Sequence, residues 1–164
     1  IIKVSKGGEE ASCTIEIKTN YVKCAIDADG KPYNNGLGYK DNYRLSQSSG
    51  GESAMNGYRA TGFIPCTRGT ILKFINIDLD SIETNNCVIA VFDSSKTKLA
   101  SFYAKDWFAK TNNKGSVRDS KWVLTIRLQD GPQDTSISNM AYVRVAGKYT
   151  DGSETKIYFV DTLK

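Results

Sequence analysis

Apolar and polar residues alternate along most of this chain with a period of two. Cys13, Ile15 and Ile17 alternate with Thr14 and Glu16, and Ile75, Ile77 and Leu79 alternate with Asn76 and Asp78. Trp122, Leu124, Ile126 and Leu128 are separated by Val123, Thr125 and Arg127. Ala141, Val143 and Val145 continue the pattern, as do Ile157 and Phe159. Successive side chains of a strand point to opposite faces, so each run predicts a strand with one face inward. Cys87 to Phe92 (CVIAVF) is apolar throughout and predicts a central strand covered on both faces. Turn-forming clusters separate the runs, at Asp27 to Gly30, Thr67 to Gly69, Asp130 to Pro132 and Asp151-Gly152. Asp93-Ser94-Ser95-Lys96 predicts a hairpin. No segment carries a helical stripe over three turns, and Ser101 to Lys110 holds one short helix at most. The expected fold is all-β: an antiparallel β-sandwich of jelly-roll type with at most one short helix.

The one compositional shift is the stretch 30–57, rich in Gly, Asn and Ser, which predicts a long ordered loop on one side of the sandwich. The wider block Tyr33 to Pro65 has no His and no Cys, and suits contact better than chemistry. A chain of 164 residues fits one domain with one core. It begins Ile1-Ile2-Lys3-Val4, without an initiator Met, and reads as a processed chain or a piece of a longer one. Residues 1–18 are expected to be an N-terminal strand or a linker from a preceding domain, and 19–164 a single β-sandwich domain. The apolar runs are too short to span a bilayer, so membrane insertion is not expected.

The absence of His removes the usual general base and transition-metal ligand, and with them Ser-His-Asp and Cys-His catalysis. The four cysteines, at 13, 24, 66 and 87, show no C-x-x-C spacing, which argues against a zinc site. Cys66 and Cys87 lie in apolar runs and are expected to be buried free thiols. A Cys13–Cys24 bridge stays open. Asp27-Ala28-Asp29-Gly30 hints at a calcium loop, but its twelfth position is Gly38, where an EF-hand needs Glu. A plain turn is favoured over structural calcium, and no cofactor is expected. The net charge of +4 does not require a nucleic-acid partner, and none is expected. One segment is locally basic, with Lys105, Lys110, Lys114, Arg118 and Lys121 against Asp106 and Asp119 around Trp107 and Phe108. It reads either as a solvated loop or as a ligand-contacting one.

Several segments occur in an order that resembles a known group. They are Asp27 to Tyr33, Gly38 to Ser46, Gly51-Glu52, Thr61-Gly62-Phe63-Ile64-Pro65, Ala90 to Lys96 and Ala141 to Val145. This order resembles the carbohydrate-binding-like β-sandwich modules of phage tail, baseplate and tail-fibre proteins, and of related surface proteins of Gram-positive and gut bacteria. The resemblance implies an extracellular, virion or bacterial cell-surface location. It also implies a cell-surface glycan or polysaccharide as partner, and a homotrimer or part of a larger multidomain chain.

Sugar recognition uses aromatic faces for the ring and polar side chains for the hydroxyls. The expected ligand-binding residues are therefore Tyr33, Asn34, Tyr103, Asp106, Trp107, Asn112 and Arg118, with Tyr39, Tyr43 and Tyr58 as further aromatics. Tyr39, Arg44 and Arg59 read as framework, and Trp122 as core. The leading expectation is a non-catalytic glycan- or receptor-binding module. The alternative is a structural or oligomerising domain of a tail or adhesin, followed by a small glycoside hydrolase. No acid among the 18 stands in a setting that marks it as catalytic.

Overall fold

The computed structural model describes residues 2–6, 9–13, 24–67, 70–77, 85, 87–108, 114–118, 121–127, 137–148 and 156–160. Within them the strands are β1 (Ile2–Lys6), β2 (Glu9–Cys13), β3 (Tyr39–Leu45), β4 (Glu52–Thr61), β5 (Ile64–Pro65) and β6 (Ile71–Ile77). Then come β7 (Val88–Phe92), β8 (Lys98–Tyr103), β9 (Lys114–Arg118), β10 (Lys121–Arg127), β11 (Tyr142–Lys148) and β12 (Lys156–Val160). The one α-helix among the described residues is α1 (Ala104–Phe108). Every described strand pair is antiparallel. No helix among the described residues is long and apolar enough to cross a membrane.

The strands form a β1-β2 hairpin, a four-stranded sheet of order β12-β6-β10-β9, and a six-stranded sheet of order β3-β4-β11-β7-β8, with β5 also on β11. In the four-stranded sheet the register aligns Leu124 and Ile157 with Phe74, and Ile126 and Phe159 with Leu72. In the six-stranded sheet β7 is buried at all five positions, as its unbroken apolar run predicts. The hairpin predicted at Asp93 to Lys96 joins β7 to β8. Asp93 Oδ1 accepts the Ser95 and Thr97 amides at 2.9 Å each, and Lys96 takes a left-handed φ of 61°. The main core lies on the face bearing Ile89, Val91, Val143, Val145 and Ile64, which packs with Ala25, Cys66, Cys87, Ala104, Ile137 and Met140. Cys66 and Cys87 are buried free thiols, as expected, and Cys24 is an exposed free thiol, so it is not bridged to Cys13.

The long loop expected over 30–57 is instead largely paired backbone. A short turn (Tyr33–Gly36), with Asn34 and Asn35 in left-handed backbone (φ 48° and 55°), is followed by β3, a six-residue tip (46–51) and β4. The alternation test missed this hairpin because β3 is an edge strand and most positions of both strands stay at least partly exposed. Two irregularities shape it. Asp41 pairs with Arg59 and Tyr43 with Ala54, so Asn42 faces four residues of β4. Asn42 (φ 61°) closes this bulge by accepting the Gly57 amide at 3.2 Å. Beyond the bend, Tyr43 and Leu45 pack onto Ala60, Val88 and Ala146, on the sheet face opposite the main core. The tip is fastened there. Ser101 Oγ donates to the Gln47 carbonyl, Lys98 Nζ to the Ser48 carbonyl, and Gln47 Nε2 to the Ser101 carbonyl at 3.3 Å. Gly50 (φ 71°) lies against Phe92, and a Cβ there would stand 2.7 Å from Phe92 Cζ.

The second irregularity separates β4 from β5. Ala146 pairs with Ala60 and Val143 with Ile64, which leaves three residues of one strand facing two of β11. The Val145 amide donates to Thr61 Oγ1 at 2.9 Å, so a side-chain hydroxyl serves here as the acceptor. Phe63 turns its backbone to Ile26, exchanging two bonds of 2.9 Å. Gly62 sits beneath Tyr33, and a Cβ there would stand 2.6 Å from Tyr33 Cγ and 2.8 Å from the Ile26 carbonyl oxygen.

Candidate functional site

The folded-over tip, the bulged part of β4 and the end of β8 enclose a groove of about 320 Å³, at the lower end of the range used by small-ligand sites. Buried Leu45, Val88 and Ala146 supply its apolar floor. Half-buried Tyr58 and Tyr103 bring aromatic surface with a polar end. Arg44, Ser46, Gln47, Ser48 and Asn85 supply polar groups, all but Ser46 exposed. The bend at Asn42 creates this arrangement, because it carries Arg44 and Leu45 across to β7 and β8. Arg44 and Ser53 are cross-strand partners, and Arg44 Nε donates to Ser53 Oγ at 3.3 Å. An apolar floor, two tyrosines and several hydroxyl, amide and guanidinium groups can cover a sugar ring and bond its hydroxyls.

A second polar cluster lies beside the groove and has a different character. Arg144, on β11, is buried. Its Nε donates to the Thr61 carbonyl at 3.1 Å, Nη1 to the Gly50 carbonyl at 3.4 Å, and Nη2 to Glu52 Oε1. Its guanidinium carbon lies 4.8 Å from the centre of the Phe63 ring. Glu52 also accepts the Tyr33 hydroxyl at 2.6 Å and pairs with Lys40 Nζ at 3.3 Å. Burial alone would push the Glu52 carboxyl up. The Tyr33 hydroxyl and the Arg144 guanidinium, with Lys40, outweigh that and hold it below its usual range. The Tyr33 phenol is pushed well above its ordinary range by burial, by its bond to Glu52 and by that carboxylate's charge, with Arg144 opposing. One arginine thereby ties together the β4–β5 bulge, the hairpin tip and the hairpin stem. Tyr33, Lys40 and Arg144 all converge on Glu52, so the cluster ties these parts of the scaffold together.

The residues named from sequence divide accordingly. Tyr103 lines the groove. Tyr33 is buried at 5% exposure with its hydroxyl on Glu52, and does not line the groove. Asn34, at φ 48°, spends its side-chain amide on the Tyr39 carbonyl at 2.7 Å. It fastens its own turn. Asp106 is exposed in α1 and is not among the groove's described lining. Trp107 lies in α1 and Arg118 in β9, with side chains outside the described residues, as is all of Asn112. The loop expected around Trp107 is thus partly a helix and a strand. Tyr39 and Arg59, read as framework, contact each other within the hairpin. Arg59 stacks 4.1 Å from the Tyr39 ring centre and pairs with Asp41 at 2.7 Å. Arg44 lies in the groove, which framework reasoning missed. The Ser46 to Ser48 tip and Asn85 were also missed, because isolated polar turn residues carry no pattern. Asp27 forms a plain turn, its Oδ1 accepting the Asp29 and Lys31 amides at 2.9 Å each. Compared with models of known families, with characterised proteins and with solved structures, the chain matches none.

Proposed function

We propose that this chain is a non-catalytic glycan- or receptor-binding module that binds a saccharide in the groove between the hairpin tip and β8. The observation that carries this reading is the pairing of Tyr58 and Tyr103 with a polar rim over an apolar floor. The described lining holds no Asp or Glu, which favours binding over hydrolysis, since glycosidases need two carboxyl groups across a cleft. The segment order that resembles phage tail and bacterial surface modules supports an extracellular, virion or cell-surface setting. It also supports a jelly-roll arrangement of the sheets and a homotrimer or larger chain as the working form. Tyr103→Ala and Tyr58→Ala are each expected to weaken glycan binding about tenfold, as loss of a stacking face does. A glycan array followed by calorimetry on the best binder measures this, with circular dichroism to check folding. Binding unchanged in both variants sinks the groove as the site.

The alternative, a structural or oligomerising domain, draws on the Arg144 cluster. That cluster engages several residues of the resemblance-bearing segments in holding the fold together.

A further inference from the structure

The charges around the groove are unequally matched. The β3–β4 hairpin carries three cations, Lys40, Arg44 and Arg59. Lys40 is paired with Glu52 and Arg59 with Asp41. Arg44 has no acidic partner among the described residues, and its one hydrogen bond runs from Nε to Ser53 Oγ. It is exposed and lines the groove. The described lining contains no carboxylate that would neutralise it. The bond at Nε restrains the side chain while both terminal nitrogens stay available, and that pair of N–H groups fits a carboxylate or phosphate side by side. A neutral sugar would leave this positive charge unused. Ser46, Ser48 and Asn85 would bond hydroxyls of either kind of sugar.

We infer that the groove takes an acidic saccharide, with Arg44 pairing to its carboxylate or phosphate group while Tyr58 and Tyr103 cover the ring. This rests on the glycan-binding reading above and narrows it to a class of ligand.

The test is a printed array in which each acidic saccharide (uronate-containing, sialylated or phosphorylated) stands beside its neutral counterpart. It is probed with the wild-type chain, Arg44→Gln and Arg44→Lys. Arg44 is exposed, so both variants are expected to fold, and a thermal melt checks this. The expected result is a preference for the acidic member of at least one pair, with about a tenfold loss of binding to it in Arg44→Gln. Binding to neutral members should fall by less, because they lose a hydrogen-bond donor but no ion pair. Arg44→Lys should recover only part of the loss, because an ammonium lacks the paired donors. Raised salt should weaken acidic binding alone. The uronate, sialic acid and phosphate arms show which anion is read. Glycan binding with no preference for acid, or a preference that Arg44→Gln leaves intact, overturns this inference and spares the broader reading. No binding to any saccharide overturns both.

Discussion

At the scale of single residues, a closely constrained group sits in an ordinary-looking strand. Arg144 sits between Val143 and Val145 on β11, and nothing in that alternation says whether an arginine at an outward position is solvated or buried. Here the face is covered by the hairpin tip, so the guanidinium is enclosed and needs acceptors. It finds two carbonyls and Glu52. Glu52 carries a pH signature because its carboxyl is held below the usual range. A carboxyl with a lowered folded-state pKa contributes stability that is present above its unfolded value, near pH 4.3, and lost as pH falls through the folded value. The unfolding free energy is therefore expected to drop as pH is taken below about 4.3. Glu52→Gln should flatten that acid limb while lowering stability at neutral pH, because Arg144 then loses its counter-charge. Urea titrations at several pH values compare the two slopes, and parallel acid limbs would show that Glu52 is not the group responsible.

At the scale of elements, the two bulges decide where the groove is and how the central strand stays paired. Thr61 supplies a hydroxyl where a ladder carbonyl would otherwise serve the Val145 amide. Thr61→Val keeps the shape and removes that acceptor, leaving a buried N–H unsatisfied at a cost of about 1–3 kcal/mol. Thr61→Ser keeps the oxygen and should lose less, and denaturant unfolding of the two variants separates the effects. Equal losses would assign Thr61 a packing role instead. The same irregularities mark what the sequence could and could not reveal. Strands β6, β7, β10, β11 and β12 were legible because each carries an alternating or continuous apolar pattern. The β3–β4 hairpin was not, because exposed edge strands are selected by backbone pairing and leave little mark on side-chain polarity. Within the groove, Tyr103 is the residue that the sequence also singles out, as an aromatic at the start of the segment 103–118. Tyr33 looked equivalent to it, and only Glu52, 19 residues away in sequence, shows that its hydroxyl is already taken. Arg44 looks like framework in the sequence because it falls in the resemblance-bearing segment Gly38 to Ser46.

At the scale of the whole molecule, the two buried thiols report on the six-stranded sheet as a unit. Cys66 follows β5 and Cys87 precedes β7, and both pack with Ile64, Ile89, Val143 and Val145 in one cluster. Burial pushes each thiol from an ordinary value of 9.0 up to about 12, since a thiolate there would lie in apolar surroundings without a counter-charge. The sign follows from that direction. Below pH 9 the thiols are protonated in both states and the full stability is present. Between pH 9 and about 12 they ionise only when the sheet opens, so each favours the unfolded chain by about 1.4 kcal/mol per pH unit. Tyr33, also raised, acts in the same direction from about pH 10. Unfolding free energies measured in urea should therefore fall steeply above pH 9. Cys87→Ala should start lower at pH 7, having lost a buried sulfur, yet fall with a visibly shallower slope. If the wild-type and variant curves ran parallel above pH 9, Cys87 would not be enclosed as described. The packing of the main core against β7 and β11 would then need revision before any reading of the groove on the opposite face of that sheet.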